Sequence, residues 1–438
     1  MERRFTAVLE HWEKSREQKP LLVIGARQVG KTWIIKDFCE KNYKDYVYIN
    51  LEKTPVLQSV FEDSLDSKDI LRKLGIMIER NLDENTALFI DEIQVCESAI
   101  TSLKYFCEAD ENYRVIGAGS LLGVKLSRFE SSFPVGKVQI EHLYPMSFVE
   151  FLTAVTDPRI IDEIRTAYSD KKALPDAIHH KALQFYHDYL MVGGMPGAVA
   201  KYKDTNKDIS GLDTEFYNSL RLSYLADMTK YTISAAEGVK ITEVYDSIPR
   251  QLGKDNPKFK YNEIRPSASK RDFSSSLDWL VASGMVIRVD KLGSPRIPMK
   301  AYIEKGFDRI YLSDVGLLSF ICGLKPRDLI SEQDNIYKGA VVENYVIQEA
   351  LSYGETLCYF KPSDSMEIDL ILDSEDGICP IEIKSGRNKR STSLKNYIAK
   401  YNPPESFRIS ERNIGDTGDI ISVPLYAAFC LFEKCSLG

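Results

Sequence analysis

An eight-residue segment near the N-terminus constrains this chain more than any other part of it. Residues 25–32 read Gly-Ala-Arg-Gln-Val-Gly-Lys-Thr and directly follow the apolar run 21–24. The pattern GxxxxGK[ST] after a predicted strand is typical of a phosphate-binding loop. Gly25 and Gly30 let the backbone curl so that its N–H groups point at phosphate oxygens. A chance match is the alternative, and the preceding strand argues against it.

The other groups of the loop have predicted positions at the phosphates. Lys31 is expected to reach the β- and γ-phosphates, and the Thr32 hydroxyl is expected to contact Mg²⁺. The segment that begins at Trp33 is predicted to be a helix, whose N-terminus adds positive potential beneath the phosphates. The predicted nucleotide-binding residues are Gly25, Ala26, Arg27, Gln28, Val29, Gly30, Lys31, Thr32, Trp33 and Ser120.

A second predicted strand ends in acidic residues, as a phosphate-binding loop requires. Residues 87–92 are an apolar run that ends in Asp91 and Glu92. Asp91 is predicted to hold Mg²⁺ through water, opposite Thr32. Glu92 is predicted to polarise the water that attacks the γ-phosphate. The alternative is a strand that merely leaves the core at a charged turn.

Further strands are predicted at 46–51 and 113–120. Strands that alternate with helices indicate a parallel sheet, which binds its ligands at the carboxyl ends of the strands. Ser120 ends the last of these strands beside Asp91. It is therefore predicted to sense the γ-phosphate, and a simple turn serine is the alternative.

Composition excludes several classes of protein. Of 438 residues, 44% are apolar and 28% are charged, and the net charge is −7. A uniformly basic nucleic-acid-binding surface is therefore excluded, and any DNA contact must rest on local patches. The eight cysteines form no CxxC pair, which argues against a zinc site and indicates reduced thiols in a cytosol. No apolar run is long enough to span a bilayer, so we expect a cytoplasmic location and no membrane partner.

Four segments together resemble a known group of proteins. They are residues 25–32, Ile90–Gln94, Gly119–Ser120 and Pro145–Phe151. They are similar to segments of prokaryotic AAA-type ATPases of the archaeal-ATPase-like group, which carry a C-terminal domain of unknown function. The resemblance extends over essentially the whole chain. It implies an AAA-like core that uses ATP, a helical region, a winged-helix module and a restriction-nuclease-like tail.

The chain departs from this group at one position. The group usually has Gly-Arg before the Pro-x-Ser-Phe segment, whereas this chain has Gly136-Lys137. Lysine lacks the planar fork with which arginine clamps phosphate oxygens. Arg114 and Arg221 are the alternative sources of an arginine finger, and the sequence does not rank them.

The middle of the chain is predicted to be helical and then to change pattern. Residues 150–225 are rich in helix formers, and a sharp turn is predicted at 192–197. The next predicted elements have the winged-helix order, with helices at 241–248 and 274–281 and strands at 284–289 and 309–312. Ser274 is predicted to be the N-cap of the second helix. A basic run that could bind nucleic acid, or be a solvated loop, comprises Lys254, Lys258, Lys260, Arg265, Lys270 and Arg271.

The C-terminal region carries a second set of chemically suggestive residues. Its predicted elements are a helix that opens at 341–346 and strands at 366–372 and 379–384. Glu343 lies on the helix and Asp369 on the first strand. Glu382 and Lys384 are two apart on the second strand and so share a face. This ordered set resembles the PD-(D/E)xK nuclease superfamily.

The resemblance implies metal-dependent cleavage of a phosphodiester. Asp369 and Glu382 are predicted to bind a divalent metal with support from Glu343, and Lys384 to orient the attacking water. The alternatives are an edge strand of alternating charge and a nuclease-like fold kept as a binding platform. A basic stretch suited to phosphates comprises Arg387, Lys389, Arg390 and Lys395.

Together these predictions describe an α/β multidomain protein. Its predicted domains are a P-loop AAA-like ATPase core with a parallel sheet at 1–155, a helical lid at 156–235, a winged helix at 236–330 and a restriction-endonuclease-like α/β domain at 331–438. We expect a Mg²⁺-dependent ATPase that binds ATP and ADP and whose nucleotide state controls a tail acting on DNA. One alternative is a nucleotide-gated switch with a silent tail that binds a protein partner or self-associates. Another is a nucleotide-binding protein with negligible turnover.

Overall fold

The structure is a computed structural model of the chain. It describes residues 1–15, 17, 19–127, 133–212, 214–232, 234–254, 258–330, 336–386 and 391–435. The chain divides into two compact units. The N-terminal unit comprises residues 2–144 and 282–284, and the C-terminal unit comprises Met1, 145–281 and 285–438.

A five-stranded parallel sheet forms the centre of the N-terminal unit. Its strands are β1 (Leu21–Ile24), β2 (Tyr46–Asn50), β3 (Ala87–Asp91), β4 (Val115–Gly119) and β5 (Gln139–His142). They lie in the order β2-β3-β4-β1-β5, and every neighbouring pair is parallel. Strands β1, β3 and β4 are buried along their whole length, as inner strands of a parallel sheet are. The predicted parallel sheet is confirmed.

Helices connect these strands, because parallel neighbours require long crossovers. Helix α1 (Phe5–Lys14) precedes β1, and the connecting helices are α2 (Lys31–Asn42), α3 (Gln58–Asp63), α4 (Ser67–Met77), α5 (Glu97–Glu108) and α6 (Leu122–Ser127). Apolar side chains of α3, α4 and α5, such as Phe61, Ile70 and Leu103, are buried in one core with those of β2 and β3. Helix α2 begins at Lys31, so the predicted helix after the loop is present.

The register of the strands brings the candidate site residues to one edge of the sheet. Ile24, the last residue of β1, pairs with Gly119 at the end of β4. Asp91, the last residue of β3, pairs with Ala118 of β4. The segment 25–32 therefore leaves the sheet one strand away from Asp91, at the carboxyl ends of the strands.

The C-terminal unit contains most of the helices. They are α7 (Phe148–Val155), α8 (Arg159–Ser169), α9 (Asp176–Val192), α10 (Pro196–Asp204), α11 (Thr214–Lys230), α12 (Ala235–Leu252), α13 (Lys270–Ala282), α14 (Val315–Ile321), α15 (Pro326–Ile330), α16 (Ile336–Ser352), α17 (Thr392–Tyr401) and α18 (Ala428–Cys435). The turn predicted at 192–197 separates α9 from α10. Gly193 has a φ of 64° there, and Pro196 is the first residue of α10.

One mixed sheet of eight strands lies in the same unit. Its strands are β6 (Val286–Leu292), β7 (Ile303–Leu312), β8 (Cys358–Ser363), β9 (Met366–Ser374), β10 (Gly377–Ile383), β11 (Phe407–Ser410), β12 (Gly415–Asp416) and β13 (Ile421–Pro424). They lie in the order β12-β13-β11-β10-β9-β8-β6-β7. Strand β6 pairs with β7 and also, in parallel, with β8. The two strands predicted for a winged helix therefore belong to the sheet of the tail, and the predicted domain boundaries stay predictions.

One local prediction in this unit is wrong. Ser274 does not cap a helix, because α13 already begins at Lys270 and Ser274 lies in its second turn. The residue before the helix is Ser269, whose hydroxyl donates a 2.6 Å hydrogen bond to the Asp272 carboxylate. Ser269 therefore occupies the position before the helix that was predicted for Ser274.

Asp314 ties the start of α14 to the glycine turn after α9. Its carboxylate accepts hydrogen bonds from the backbone N–H of Leu317 at 2.8 Å and of Gly194 at 2.6 Å. Asp314 is fully buried. Desolvation by burial raises the pKa of this carboxyl from 3.8 to about 6. The side chain is therefore both a helix cap and a cross-link between two segments.

Replacing Asp314 with Ala is expected to lower the free energy of unfolding by about 1–3 kcal/mol, because two buried N–H groups lose their acceptor. Urea denaturation measures this loss, and Ser234→Ala, which removes the exposed cap of α12 alone, should cost less.

A raised pKa means that the folded state binds the proton more tightly between pH 4 and 6. The stabilisation by Asp314 should thus be larger at pH 4 than at pH 7. Equal stability of Asp314→Ala and the wild type would contradict this account.

Candidate active site

Two glycines shape the loop at 25–32. Gly30 has a left-handed φ of 95° at the position directly before α2. A Cβ atom at Gly25 would lie 2.2 Å from the carbonyl oxygen of Leu143. A side chain is thus strained at Gly30 and sterically excluded at Gly25. Buried Arg3 braces the loop from outside by donating to the carbonyl oxygen of Val29 at 2.9 Å.

Lys31 lies inside the loop. Its Nζ donates hydrogen bonds to the carbonyl oxygens of Gly25 at 2.6 Å and Ala26 at 2.9 Å. The side chain is 7% exposed. The loop therefore holds the Lys31 ammonium group in its interior, a position that fits the predicted contact with phosphate. Of the remaining loop residues, Val29 is buried and Gln28 is exposed.

The Thr32 hydroxyl meets the acidic end of β3. It donates a 2.9 Å hydrogen bond to Oδ2 of Asp91. The same oxygen accepts from the Tyr48 hydroxyl at 3.1 Å and from Nδ2 of Asn50 at 3.4 Å. Asp91 is 3% exposed. A hydroxyl beside a buried carboxylate is a donor set that suits Mg²⁺, so the two residues predicted for the metal fit it.

Tyr48 and Asn50 are site residues that the sequence did not predict. Both lie on β2, and Asn50 pairs directly with Asp91 in the sheet. Alternation along β2 places them on one face. The polar side chains of the predicted strand 46–51 are visible in the sequence. The register of this strand against β3, which brings them to Asp91, is not.

Glu92 stands at a turn with unusual backbone geometry. Its φ of 51° and ψ of 40° lie in the left-handed region, where strain in a non-glycine residue is common at functional sites. Its carboxylate accepts a 2.6 Å hydrogen bond from Nε2 of Gln94. A Cβ atom at Gly119 would lie 1.9 Å from Oε1 of Gln94. The absence of a side chain at Gly119 therefore leaves room for the Gln94 amide, which holds the Glu92 carboxylate by a hydrogen bond.

Two further predicted contacts lie at the same edge. Ser120 is 4% exposed, and within the described part of the chain its hydroxyl has no hydrogen-bond partner. A buried polar group without a partner is costly, which suits a hydroxyl that awaits a ligand. Trp33 follows Thr32 on α2 and is 53% exposed.

The two candidates for an arginine finger, and the lysine that stands in place of the group's arginine, are engaged elsewhere. Arg114 pairs with Glu13 at 3.0 Å, and Arg221 pairs with Asp246 at 3.0 Å. Lys137, which stands where the group has arginine, pairs with Glu108 at 3.1 Å. The identity of the finger stays open among them.

The structure brings the predicted residues of the tail close together. Lys384 contacts the buried carboxylate of Glu382 at 3.1 Å. Asp369 accepts a 2.8 Å hydrogen bond from the N–H of Ile383, the residue between them. Burial, and then the neighbouring Glu343 carboxylate, raise the pKa of Asp369 to about 7. Among the described residues, no three His, Cys, Asp or Glu side chains are placed to hold a metal ion.

The residue at the centre of this region was not predicted from the sequence. Arg309 of β7 is 1% exposed, and its guanidinium lies 2.8 Å from Glu343 and 3.8 Å from Asp369. It also contacts Glu367 and lies 4.1 Å from the centre of the Tyr359 ring. Arg309 falls in a predicted strand of another module, so no local pattern connected it with the tail.

Part of the predicted basic surface is paired. Lys254 contacts Glu263 at 2.6 Å, and Arg265 contacts Glu243 at 3.3 Å. Lys258 lies over the ring of Phe307 at 3.9 Å. Arg387, Lys389 and Arg390 of the predicted basic stretch lie outside the described residues, whereas Lys395 lies on α17.

Comparison with known families identifies the N-terminal region. Residues 17–152 match the AAA domain. Residues 183–328 and 338–426 match two domains of unknown function, DUF8612 and DUF4143. No curated protein matches the chain. Within the described residues, no helix has the length and apolar character needed to cross a membrane.

Several solved structures are similar to this chain. The Walker-type ATPase PABY2304 of Pyrococcus abyssi is 14% identical with a TM-score of 0.44, covering 72% of this chain and 94% of that one. The Aeropyrum pernix ORC2 protein is 12% identical with a TM-score of 0.34, covering 74% and 93%. The Thermotoga maritima RuvB Holliday junction branch migration motor is 16% identical with a TM-score of 0.28, covering 65% and 88%.

The family match and the loop geometry agree on the class of the N-terminal region. Residues 17–152 match the AAA domain and form a P-loop NTPase-like core, built on a parallel sheet with the loop at the carboxyl ends of its strands. This part of the prediction is confirmed. The nuclease-like fold of the tail and the winged helix stay predictions.

Proposed function

We propose that this chain is a Mg²⁺-dependent ATPase that binds ATP at residues 25–32 and hydrolyses it with Glu92. The observation that carries the proposal is the 2.9 Å hydrogen bond between Thr32 and Asp91, beside the Lys31 amino group inside the loop. The match of residues 17–152 to the AAA domain supports it.

The residues at the phosphates bind and orient the substrate. Thr32 and Asp91 would hold Mg²⁺, which neutralises charge on the phosphates when it is bound. Lys31 would turn from the carbonyl groups of the loop to the β- and γ-phosphate oxygens. Tyr48 and Asn50 fix the Asp91 carboxylate by hydrogen bonds, so it faces Thr32.

Glu92 and its neighbours act on the attacking water. The Glu92 carboxylate takes a proton from this water as the water attacks the γ-phosphate. Gln94 orients the carboxylate through its 2.6 Å hydrogen bond. The Ser120 hydroxyl would donate to the γ-phosphate and so distinguish ATP from ADP.

Replacing Asp91 with Asn tests the metal part of this proposal. Phosphate release should fall by about 100-fold or more, because a ligand charge that stabilises the transition state is lost. The hydrogen bond with Thr32 can still form to the amide oxygen, so the fold should be kept. Asp37→Asn, on α2 and paired with Lys41 away from the loop, is the control and should leave the rate unchanged. Full activity of Asp91→Asn would refute Asp91 as a metal ligand.

We further propose that the nucleotide state controls the C-terminal unit, with DNA as its partner. Contacts with a γ-phosphate commonly order or release neighbouring segments. The resemblance of the tail to nucleases supports DNA as the ligand. Phosphate release with and without added DNA tests this proposal. Stimulation by DNA supports it, and indifference to DNA favours a protein partner or self-association.

A second candidate function for the tail is a platform without cleavage activity. The observation that favours it is the position of Arg309 among the predicted metal-binding carboxylates. Incubation of the chain with DNA and Mg²⁺ distinguishes the candidates. Cleavage that is lost in Asp369→Ala supports a nuclease, and the absence of cleavage in the wild type supports the platform.

A further inference from the structure

We infer that the guanidinium of Arg309 is the permanent cation of the tail and takes the place of a divalent metal there. It lies in an acidic cluster formed by Glu343, Glu367 and Asp369. Arg309 is almost completely buried. A buried charge is stable only when it is paired. The carboxylates therefore stabilise the charge of Arg309, and Arg309 stabilises theirs.

The sheet explains how a residue of β7 reaches the tail. Strands β6 and β8 lie between β7 and β9. The long Arg309 side chain passes over the ring of Tyr359 on β8 and reaches Glu367 on β9. Alternation places Glu367 and Asp369 on one face of β9. Two carboxylates of the tail therefore face an arginine that precedes the first of them, Glu367, by 58 positions in the sequence.

Further hydrogen bonds hold the carboxylates around this cation. The Tyr311 hydroxyl donates to Oε1 of Glu343 at 2.6 Å, the same oxygen that contacts Arg309. Lys361 contacts the other oxygen of Glu367 at 2.6 Å. One oxygen of Asp369 accepts from the Ile383 N–H. Protein groups thus engage Oε1 of Glu343, both oxygens of Glu367 and Oδ2 of Asp369.

The donor set therefore does not fit a divalent ion. Mg²⁺ is bound by carboxylate oxygens together with water at short distances. Here the Arg309 guanidinium contacts two of the predicted ligands, Glu343 and Asp369. Its positive charge would repel a divalent cation placed against the same two carboxylates. Within the described part of the chain, no three His, Cys, Asp or Glu side chains are placed to hold a metal ion. A divalent ion bound between Glu343 and Asp369 would have to displace Arg309.

Binding of Mn²⁺ to the nucleotide-free full-length chain tests the inference directly. Electron paramagnetic resonance counts bound Mn²⁺ in the wild type and in Asp369→Asn. Equal numbers are expected, because the cluster takes up no metal and any binding elsewhere is common to both proteins. One more bound Mn²⁺ per chain in the wild type than in Asp369→Asn would overturn the inference.

Thermal stability tests whether Arg309 supplies the charge. Arg309→Gln should lower the melting temperature by about 5–15 °C, because the half-buried carboxylates of Glu343 and Asp369 lose the guanidinium that neutralises them and Glu367 keeps only Lys361. Arg288→Gln is the matched control on β6, since Arg288 pairs with the exposed Asp278. The control should lose less than about 4 °C. Equal losses in the two variants would overturn the inference.

A second substitution separates lost charge from lost packing. Adding Glu343→Gln to Arg309→Gln removes one of the unpaired carboxylates while Tyr311 keeps its acceptor. The double variant should melt at a higher temperature than Arg309→Gln alone. A lower melting temperature would contradict charge compensation by Arg309. If Arg309→Gln does not fold, the comparison of Mn²⁺ binding by the wild type and Asp369→Asn still decides.

Discussion

ATP hydrolysis should slow by about 100- to 10,000-fold when Glu92 is replaced with Gln, because the attacking water loses its general base. ATP binding should be kept, since the substituted amide oxygen can still accept the hydrogen bond from Gln94. Single-turnover phosphate release measures the rate, and equilibrium binding of ATP measures the affinity. The result would separate catalysis from binding at this site.

Glu62→Gln provides the control for this experiment. Glu62 is an exposed residue of α3 in the same unit, so its charge can be removed without touching the loop. Its rate should equal that of the wild type. Hydrolysis by Glu92→Gln at the wild-type rate would show that another group activates the water, and the assignment of Glu92 would then be wrong.

Replacing Lys31 with Ala should weaken ATP binding by about 10- to 100-fold, because a charged hydrogen bond to phosphate is worth about 1.5–3 kcal/mol. Trp33 can report binding by its fluorescence. It is half-exposed beside the loop, whereas the other two tryptophans, Trp12 and Trp279, are each 3% exposed. Lys41→Ala, at the far end of the same helix and paired with Asp37, should bind ATP as the wild type does. Unchanged affinity in Lys31→Ala would contradict the phosphate contact.

The nucleotide site was largely predictable because its signals are local. The glycines of the loop, Lys31 and Thr32 are contiguous, and Asp91 and Glu92 end one apolar strand. In parallel sheets such strand ends meet at one edge, which is where the structure has them. Tyr48 and Asn50 were not predicted, since their contact with Asp91 depends on the register of β2 against β3.

The helices and strands of the tail were predictable from the sequence, but the pairing of its strands was not. The helix that carries Glu343 and the strands that carry Asp369 and Glu382 are present as expected. The pairing of β6 with β8, however, joins strands separated by about 65 residues, and hydrophobic alternation contains no information on such a partner. For the same reason Arg309 could not be assigned to the acidic cluster from the sequence.

Phosphate release by the purified chain with ATP and Mg²⁺ tests the central claim most directly. The account predicts many turnovers per chain in the wild type, and release that stops when EDTA removes the metal. The same preparation must be shown to bind ATP. No release above the buffer blank from a chain that binds ATP would contradict an ATPase and leave a nucleotide-binding protein without turnover.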